Sequence, residues 1–274
     1  MKTLLRLGRI VALALYALFA IFPLYWVLKI AFTPDRELFS HAVRYWPENL
    51  TLANFAFVLH NTNFPAYFRA SLVVSLSTAL IATLLATATG YAFSRFNFRG
   101  KPGVMLLLLT TQMFPLVLLI APLYRIFAEL HLLNTWLGLI LIYTAFNVPF
   151  AAFLMQNFFD GIPQELEEAA RIDGCTRFQA LLRVVLPLTL PGLVATIGFV
   201  FVGAWAELLF ALMFINSDNL KTFPVGLLFF ISKFNVDWGN MTAAAALGLI
   251  PVLVFFALIQ RYLIGGLTTG ATKG

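Results

Sequence analysis

The sequence predicts an all-α integral membrane protein of about six transmembrane helices, and three observations carry that reading. Hydrophobic residues make up 61% of the 274 residues, charged residues only 11%, and mean hydropathy is +0.90, where soluble domains hold roughly 45–50% apolar residues. Long apolar stretches recur along the whole chain. The basic residues that give a net charge of +6 flank those stretches and form no stripe of the kind that binds nucleic acid. Lipid, not nucleic acid, is therefore the expected surround.

A bilayer core of about 30 Å takes about 20 mostly apolar residues in a helix, because each backbone polar group must find its partner within the segment. Six stretches meet that condition: 10–32, 70–93, 104–127, 136–158, 190–215 and 243–264. The first is too long, and too weakly followed by a small-residue cleavage site, for a removed signal peptide. Gly90, Gly138, Gly192, Gly198 and Gly203 suit close helix crossings. Cys175 is the single cysteine, and His41, His60 and His131 are scattered, so neither a disulfide nor a metal site is expected. No histidine falls in a predicted span, which removes the base that an intramembrane hydrolase would need.

Orientation follows the Lys and Arg near span ends. An inside N-terminus puts eleven of the eighteen basic residues on the cytoplasmic face, including the tight cluster Arg95, Arg99 and Lys101, and makes both termini cytoplasmic. Segments 33–67 and 216–240 then lie outside. Either could meet a soluble partner, and the first reads equally as an ordered connector.

The segment from Asp160 to Pro191 holds five of the twelve acidic residues. Pro163 fits a first helical turn, and Glu165, Glu167 and Glu168 favour the positive end of the helix dipole. Leu166, Ala169, Ala170 and Ile172 share one side, with Glu167 and Arg171 at i,i+4 on the other. Gly174 can take the left-handed conformation that ends a helix, and Thr176 with Gln179 has capping-box spacing for a second one. Phe178, Leu181, Leu182 and Val185 give that second helix its apolar face. The expected product is a helix-turn-helix elbow at the membrane surface. On physical grounds alone, it serves equally as an amphipathic helix resting on the bilayer or as an element that fits a groove in another protein.

A resemblance separates these readings. Glu168-Ala169-Ala170, three residues, Gly174, nine residues, then Val184-Val185-Leu186-Pro187 resembles the EAA motif of ABC importer permeases, with Val184 where Ile is usual. Gln112-Met113-Phe114-Pro115, Leu133-Asn134-Thr135, Ile162-Pro163, Pro224-Val225-Gly226-Leu227, Asp237-Trp238-Gly239 and Gly266-Leu267-Thr268 are similar to the maltose-type carbohydrate permeases within that group. The resemblance runs from the first span to the last residue. It implies the type I importer permease fold over a single domain, 1–274, in the bacterial cytoplasmic membrane. It also implies a second homologous permease subunit, two ATPase subunits that carry ATP and Mg, and an extracytoplasmic sugar-binding protein. Pro163, Glu165, Glu168, Ala169, Ala170, Asp173, Gly174 and Phe178 would then form the coupling helix on the ATPase. Pro224, Asp237 and Trp238 would approach the binding protein, and Gly266 to Gly274 the ATPase dimer. The chain shows no G-x-x-x-x-G-K-[ST] phosphate loop, so it is not expected to be the enzyme, nor to bind a cofactor itself. A sugar is the implied solute; a polyol or a glycerol phosphodiester is the alternative. A standalone secondary transporter is disfavoured by the absence of paired broken helices, coupling carboxylates or a repeated half.

Within the spans, Glu207 is the only deeply placed acid, and buried ionisable groups usually face a bundle interior or a wet cavity. It reads both as a pathway residue, with Trp205 free to stack on a sugar ring, and as a structural carboxylate bonded to the sister subunit. Gln112 and Asn147 could bond a hydroxyl-rich solute or join helices.

Overall fold

The computed structural model describes residues 2–39 and 44–270, with side chains placed for 5–39, 44–260 and 262. In chain order the helices are α1 (Lys2–Ala31), α2 (Asp35–Leu38), α3 (Ala53–Asn61), α4 (Phe64–Arg95), α5 (Lys101–Thr111), α6 (Leu116–Glu129) and α7 (Trp136–Asp160). There follow α8 (Gln164–Ile172), α9 (Arg177–Ala180), a wide π turn over Leu181–Val185, α10 (Leu186–Leu188), α11 (Leu190–Trp205) and α12 (Leu209–Phe214). After α13 (Phe223–Leu227) the long α14 (Trp238–Gly270) closes the described chain. Four helices are long and apolar enough to cross a membrane as single pieces: α1, α4, α7 and α14. Two bent pairs, Lys101–Thr111 with Leu116–Glu129 and Arg177–Leu188 with Leu190–Trp205, bring the number to six if each pair counts as one span. Helices overlie each of the six predicted stretches, but 104–127 and 190–215 are not the continuous rods expected.

The span predicted over 104–127 is broken between Thr111 and Leu116, where α5 and α6 meet at 96°. Pro115 has no N–H to give, and the residue before it is held out of the helical region, so hydrophobic run length overestimated continuity here. Two threonine hydroxyls at the end of α5 donate back onto its own carbonyls. Thr110 Oγ1 donates to Leu106 O at 2.8 Å, and Thr111 Oγ1 to Leu108 O at 2.6 Å. The span predicted over 190–215 is interrupted between Trp205 and Leu209, so Glu207 sits at a break and not inside a helix. At its other end, the chain turns by 76° between the helical run ending at Leu188 and α11. Pro187 and Pro191 bracket this corner, and the hydroxyl of Thr189 donates back to Val185 O and Leu186 O at 3.1 and 3.0 Å.

The chain divides into two compact units. In the first, 1–65 with 226–250, Asn54 is buried and donates through Nδ2 to the carbonyls of Ala31 and Thr33 at 3.0 and 3.1 Å, closing the C-terminal end of α1. Most of α1 from Leu5 to Leu24 is exposed. In the second unit, 66–225 with 251–274, α4, α7, α11 and α12 build the core around Val74, Leu139, Ile142, Tyr143, Ala204, Phe210 and Phe214. Phe201 stacks on Phe255 at 4.6 Å, and Phe150 meets Phe199 at 4.4 Å. Gly90 marks the closest approach of α4 to α7: a Cβ there would lie 2.8 Å from both the Gln156 amide nitrogen and the Met155 Cβ.

That crossing makes a specific expectation. Gly90→Val should destabilise the folded protein by about 1–3 kcal/mol, the usual range for overpacking against backbone. The same change at Gly8, where an added Cβ meets nothing within 4 Å, should leave the thermal midpoint in detergent unchanged. Equal midpoints for the two variants would contradict the close crossing.

Candidate functional site

The elbow begins where α7 ends. Pro163 stands just before α8, in an extended conformation that suits a residue without an N–H, and Glu165 and Glu167 occupy the first turn. Gly174 has φ +92°, the left-handed value a helix-ending turn requires. Its neighbours complete the stop, with Cys175 N donating to Ala170 O at 3.0 Å. Thr176 and Gln179 form the reciprocal capping box, at 3.2 and 2.9 Å, that starts α9.

Two faces of the elbow differ sharply. Leu166, Ala169, Ile172 and Phe178 are exposed, Ile172 at 86% and Phe178 at 66%. Glu165, Glu168 and Asp173 are exposed around them. Ala170, placed with the apolar set on sequence grounds, faces inward. So does Glu167. The expected Glu167–Arg171 pair is replaced by a long-range one: Glu167 Oε2 accepts from Arg95 Nε at 3.2 Å, while Oε1 accepts from the Tyr91 hydroxyl. A residue four positions along the same helix lies at the surface, and the C-terminal end of α4 offers a buried cation instead. Arg95 was legible only as a topology charge, and Tyr91 not at all, because no local spacing connects them to Glu167.

The intramembrane polar residues gather on one stretch of α7. Asn147 Nδ2 donates to Tyr143 O at 2.8 Å, and Gln112 Nε2 crosses from the α5–α6 break to Phe146 O at 3.1 Å. Glu207 needs no sister subunit to be satisfied. Its carboxylate accepts from Phe210 N at 3.0 Å and Ala211 N at 3.3 Å, capping the start of α12, as a carboxylate at a helix N-terminus does. The buried Tyr143 hydroxyl lies beside the same carboxylate. Trp205 is only 4% exposed, stacked between Phe201 and Phe223 at 5.8 and 5.6 Å, with Phe68 edge-on. So little of its ring is exposed that it offers no face to a solute in this conformation. Beside Gln112, Leu108, Thr111, Phe114, Leu119, Phe146 and Pro149 line an open groove of about 450 Å³.

On the opposite end from the elbow in chain topology, Asn134 takes the left-handed region at φ 58°. Its Oδ1 accepts from Ser217 N and Asn216 N at 2.8 and 3.1 Å, and its Nδ2 donates to Ser217 Oγ at 2.7 Å. This accounts physically for the Leu133-Asn134-Thr135 motif, in which Thr135 also caps α7. Pro224 lies in the short α13. Asp237 accepts from Asn240 N at 3.1 Å and Asn240 Nδ2 at 2.7 Å, capping α14, and Trp238 is 46% exposed. Burial, and then the nearby Asp237 carboxylate, raise the Asp35 carboxyl above the ordinary carboxylate value.

A helical membrane protein with broken spans and an amphipathic elbow presented outside the apolar bundle is the class this geometry defines. Residues 79–268 match the family model described as "Binding-protein-dependent transport system inner membrane component", and the chain belongs to that family. It is 34% identical over 266 residues to the sulfoquinovosyl glycerol transport system permease protein SmoH of Agrobacterium fabrum, covering 97% of this chain and 93% of that one. It is 32% identical to the trehalose/maltose transport system permease protein MalG of Thermococcus litoralis, over 100% of this chain and 99% of that one. The fold is shared with a chain from the crystal structure of a bacterial ABC transporter involved in the import of the acidic polysaccharide alginate. That match has a TM-score of 0.81 at 22% identity and covers 96% of this chain and 97% of the other.

The cap on α12 can be tested directly. Glu207→Leu removes both acceptors and should cost about 1–2 kcal/mol, as loss of a helix cap does, whereas Glu207→Gln keeps one acceptor and should cost less. Thermal unfolding in detergent reads the difference. Indistinguishable midpoints for wild type and Glu207→Leu would remove the cap from the account.

Proposed function

We propose that this chain, as a single permease domain over 1–274, is one of two permease subunits of an ATP-driven importer in the bacterial cytoplasmic membrane, and that it carries a mono- or oligosaccharide inward. Membership of the family of binding-protein-dependent inner membrane components is the observation that carries the reading. Sugar as the solute class is supported by the relatives' names, which specify sulfoquinovosyl glycerol, trehalose/maltose and diacetylchitobiose. An extracytoplasmic binding protein delivers the sugar, and two separate ATPase subunits hold ATP and Mg²⁺. The chain's own sequence has no phosphate loop with which to do so.

In this reading the N-terminus and the elbow are cytoplasmic, in keeping with the clustering of Arg95, Arg99 and Lys101 near one end of the bundle. Leu166, Ala169, Ile172 and Phe178 form the apolar centre that enters a groove of the ATPase, and Glu165, Glu168 and Asp173 form the polar rim that orients it. Pro224, Asp237 and Trp238 belong to the outer face that meets the binding protein. Residues 266–270 continue α14, and the rest of the proposed ATPase-contacting tail, 271–274, lies outside the described residues. Gln112 and Asn147 border the sugar's route, while Glu207 holds the shape of the broken helix beside it.

Two measurements test the elbow. Ile172→Glu puts a charge at the centre of the docking face and should weaken the ATPase–permease association by roughly 10-fold or more, the loss of a hot-spot contact; undiminished copurification would overturn the docking role. Cys175, half-buried at the bend, should react with an impermeant maleimide in inside-out vesicles but not in intact cells. Labelling from outside intact cells would invert the topology.

A further inference from the structure

The elbow is bolted to α4 by a polar cluster, buried at its centre and exposed at its edge, that none of the elbow's docking residues share. Three side chains from the last turns of α4 take part. Tyr91 donates to Glu167 Oε1, and Arg95 Nε donates to Glu167 Oε2 at 3.2 Å. Arg95 Nη2 donates to the Ile162 carbonyl at 3.0 Å, and Nη1 to Ser94 Oγ at 3.1 Å. Ser94 Oγ in turn donates to Asp160 Oδ1 at 2.6 Å, and Gln156 Nε2 reaches the second oxygen of Asp160 at 3.4 Å. The Arg95 and Glu167 side chains are only 6% and 9% exposed.

The grip is thus on both sides of the joint. Asp160 ends α7 and Ile162 lies just beyond it, and Glu167 stands in the first turn of α8, so a planar guanidinium whose donors point in fixed directions spans the hinge between them. A hinge free to swing would let α8 move without α4. With both carboxylate oxygens and three guanidinium nitrogens engaged and both side chains nearly buried, swinging would separate the pair and leave each charge without its partner, which is unfavourable.

The geometry points to Arg95, Glu167 and Tyr91 as positioning residues that make the elbow and α4 move as one body, so that displacement of the elbow by the ATPase is delivered to the membrane span and not absorbed at Gly161–Pro163. This inference rests on the proposed docking of the elbow on the ATPase. It assigns a role to the second, buried face of α8, distinct from the exposed face that docks. Single removal of a charge could prevent folding, so two gentler changes are informative. Arg95→Lys keeps the charge opposite Glu167 but cannot span the joint with a fork. Arg95→Met with Glu167→Leu keeps volume and packing without any polar tie.

The experiment uses the assembled transporter with its ATPase, spin labels on the native Cys175 and on L80C, an exposed site on α4 (Leu80, 62% exposed), and pulsed dipolar distance measurement. The two conditions are nucleotide-free and trapped with ATP and vanadate. Wild type should give one Cys175 to L80C distance in both. Each clamp variant should match wild type without nucleotide, then show a shifted second population when trapped, together with loss of binding-protein stimulation of ATP hydrolysis and retained basal hydrolysis. A wild-type distance that itself changes on trapping, or variants that stay at the wild-type distance in both states, would overturn the clamp. Those outcomes are separable from failure of the docking reading, which shows as an Ile172→Glu transporter that keeps its ATPase.

Discussion

Lipid supplies no hydrogen bonds, and every interruption of a helix in this protein has to be repaired by the chain itself. That constraint organises the structure. Where Pro115 interrupts the third span, threonine hydroxyls fold back onto carbonyls at the end of α5 and Gln112 reaches across to α7. Where the fifth span breaks, Glu207 takes the two N–H groups that begin the next helix. At the corner before α11, the Thr189 hydroxyl and backbone N–H both donate to the Val185 and Leu186 carbonyls just ahead of Pro187. A polar residue at membrane depth is costly, and in these three places its first use is to close the backbone.

This changes how intramembrane polarity relates to transport. Glu207, Gln112 and Asn147 all stand where a solute contact could be imagined, yet each makes a backbone bond within the chain. Broken helices are also what secondary transporters use around their substrates, so their presence does not separate the two classes of transporter. The family match does.

Much of the architecture was legible because it depends on short-range rules. Run length located the four long apolar helices, Gly174 located the end of α8, and Thr176 with Gln179 located the start of α9. The breaks were legible only in hindsight: Pro115 was in view, but a hydropathy window averages over one proline, and the 205–209 interruption carries no proline at all. The Glu167–Arg95 pair was beyond local reading, since 72 residues separate the partners and helix periodicity favours Arg171. The same limit applies to Trp205. Its position beside a polar residue suggested an open ring, whereas the rings covering it come from Phe201 one turn back and from Phe223 well ahead in the chain.

One short helix thus does two jobs, with an exposed face shaped for a partner and a buried face tied to the bundle. The central claim is that this chain works as one permease subunit in a larger ATP-driven assembly. Native mass spectrometry of the complex extracted gently from its own membrane measures that directly. The account predicts this chain together with a second permease subunit and two copies of an ATPase subunit, releasing the ATPase first on activation. A chain that emerges alone, or only with copies of itself and no ATPase, would contradict it.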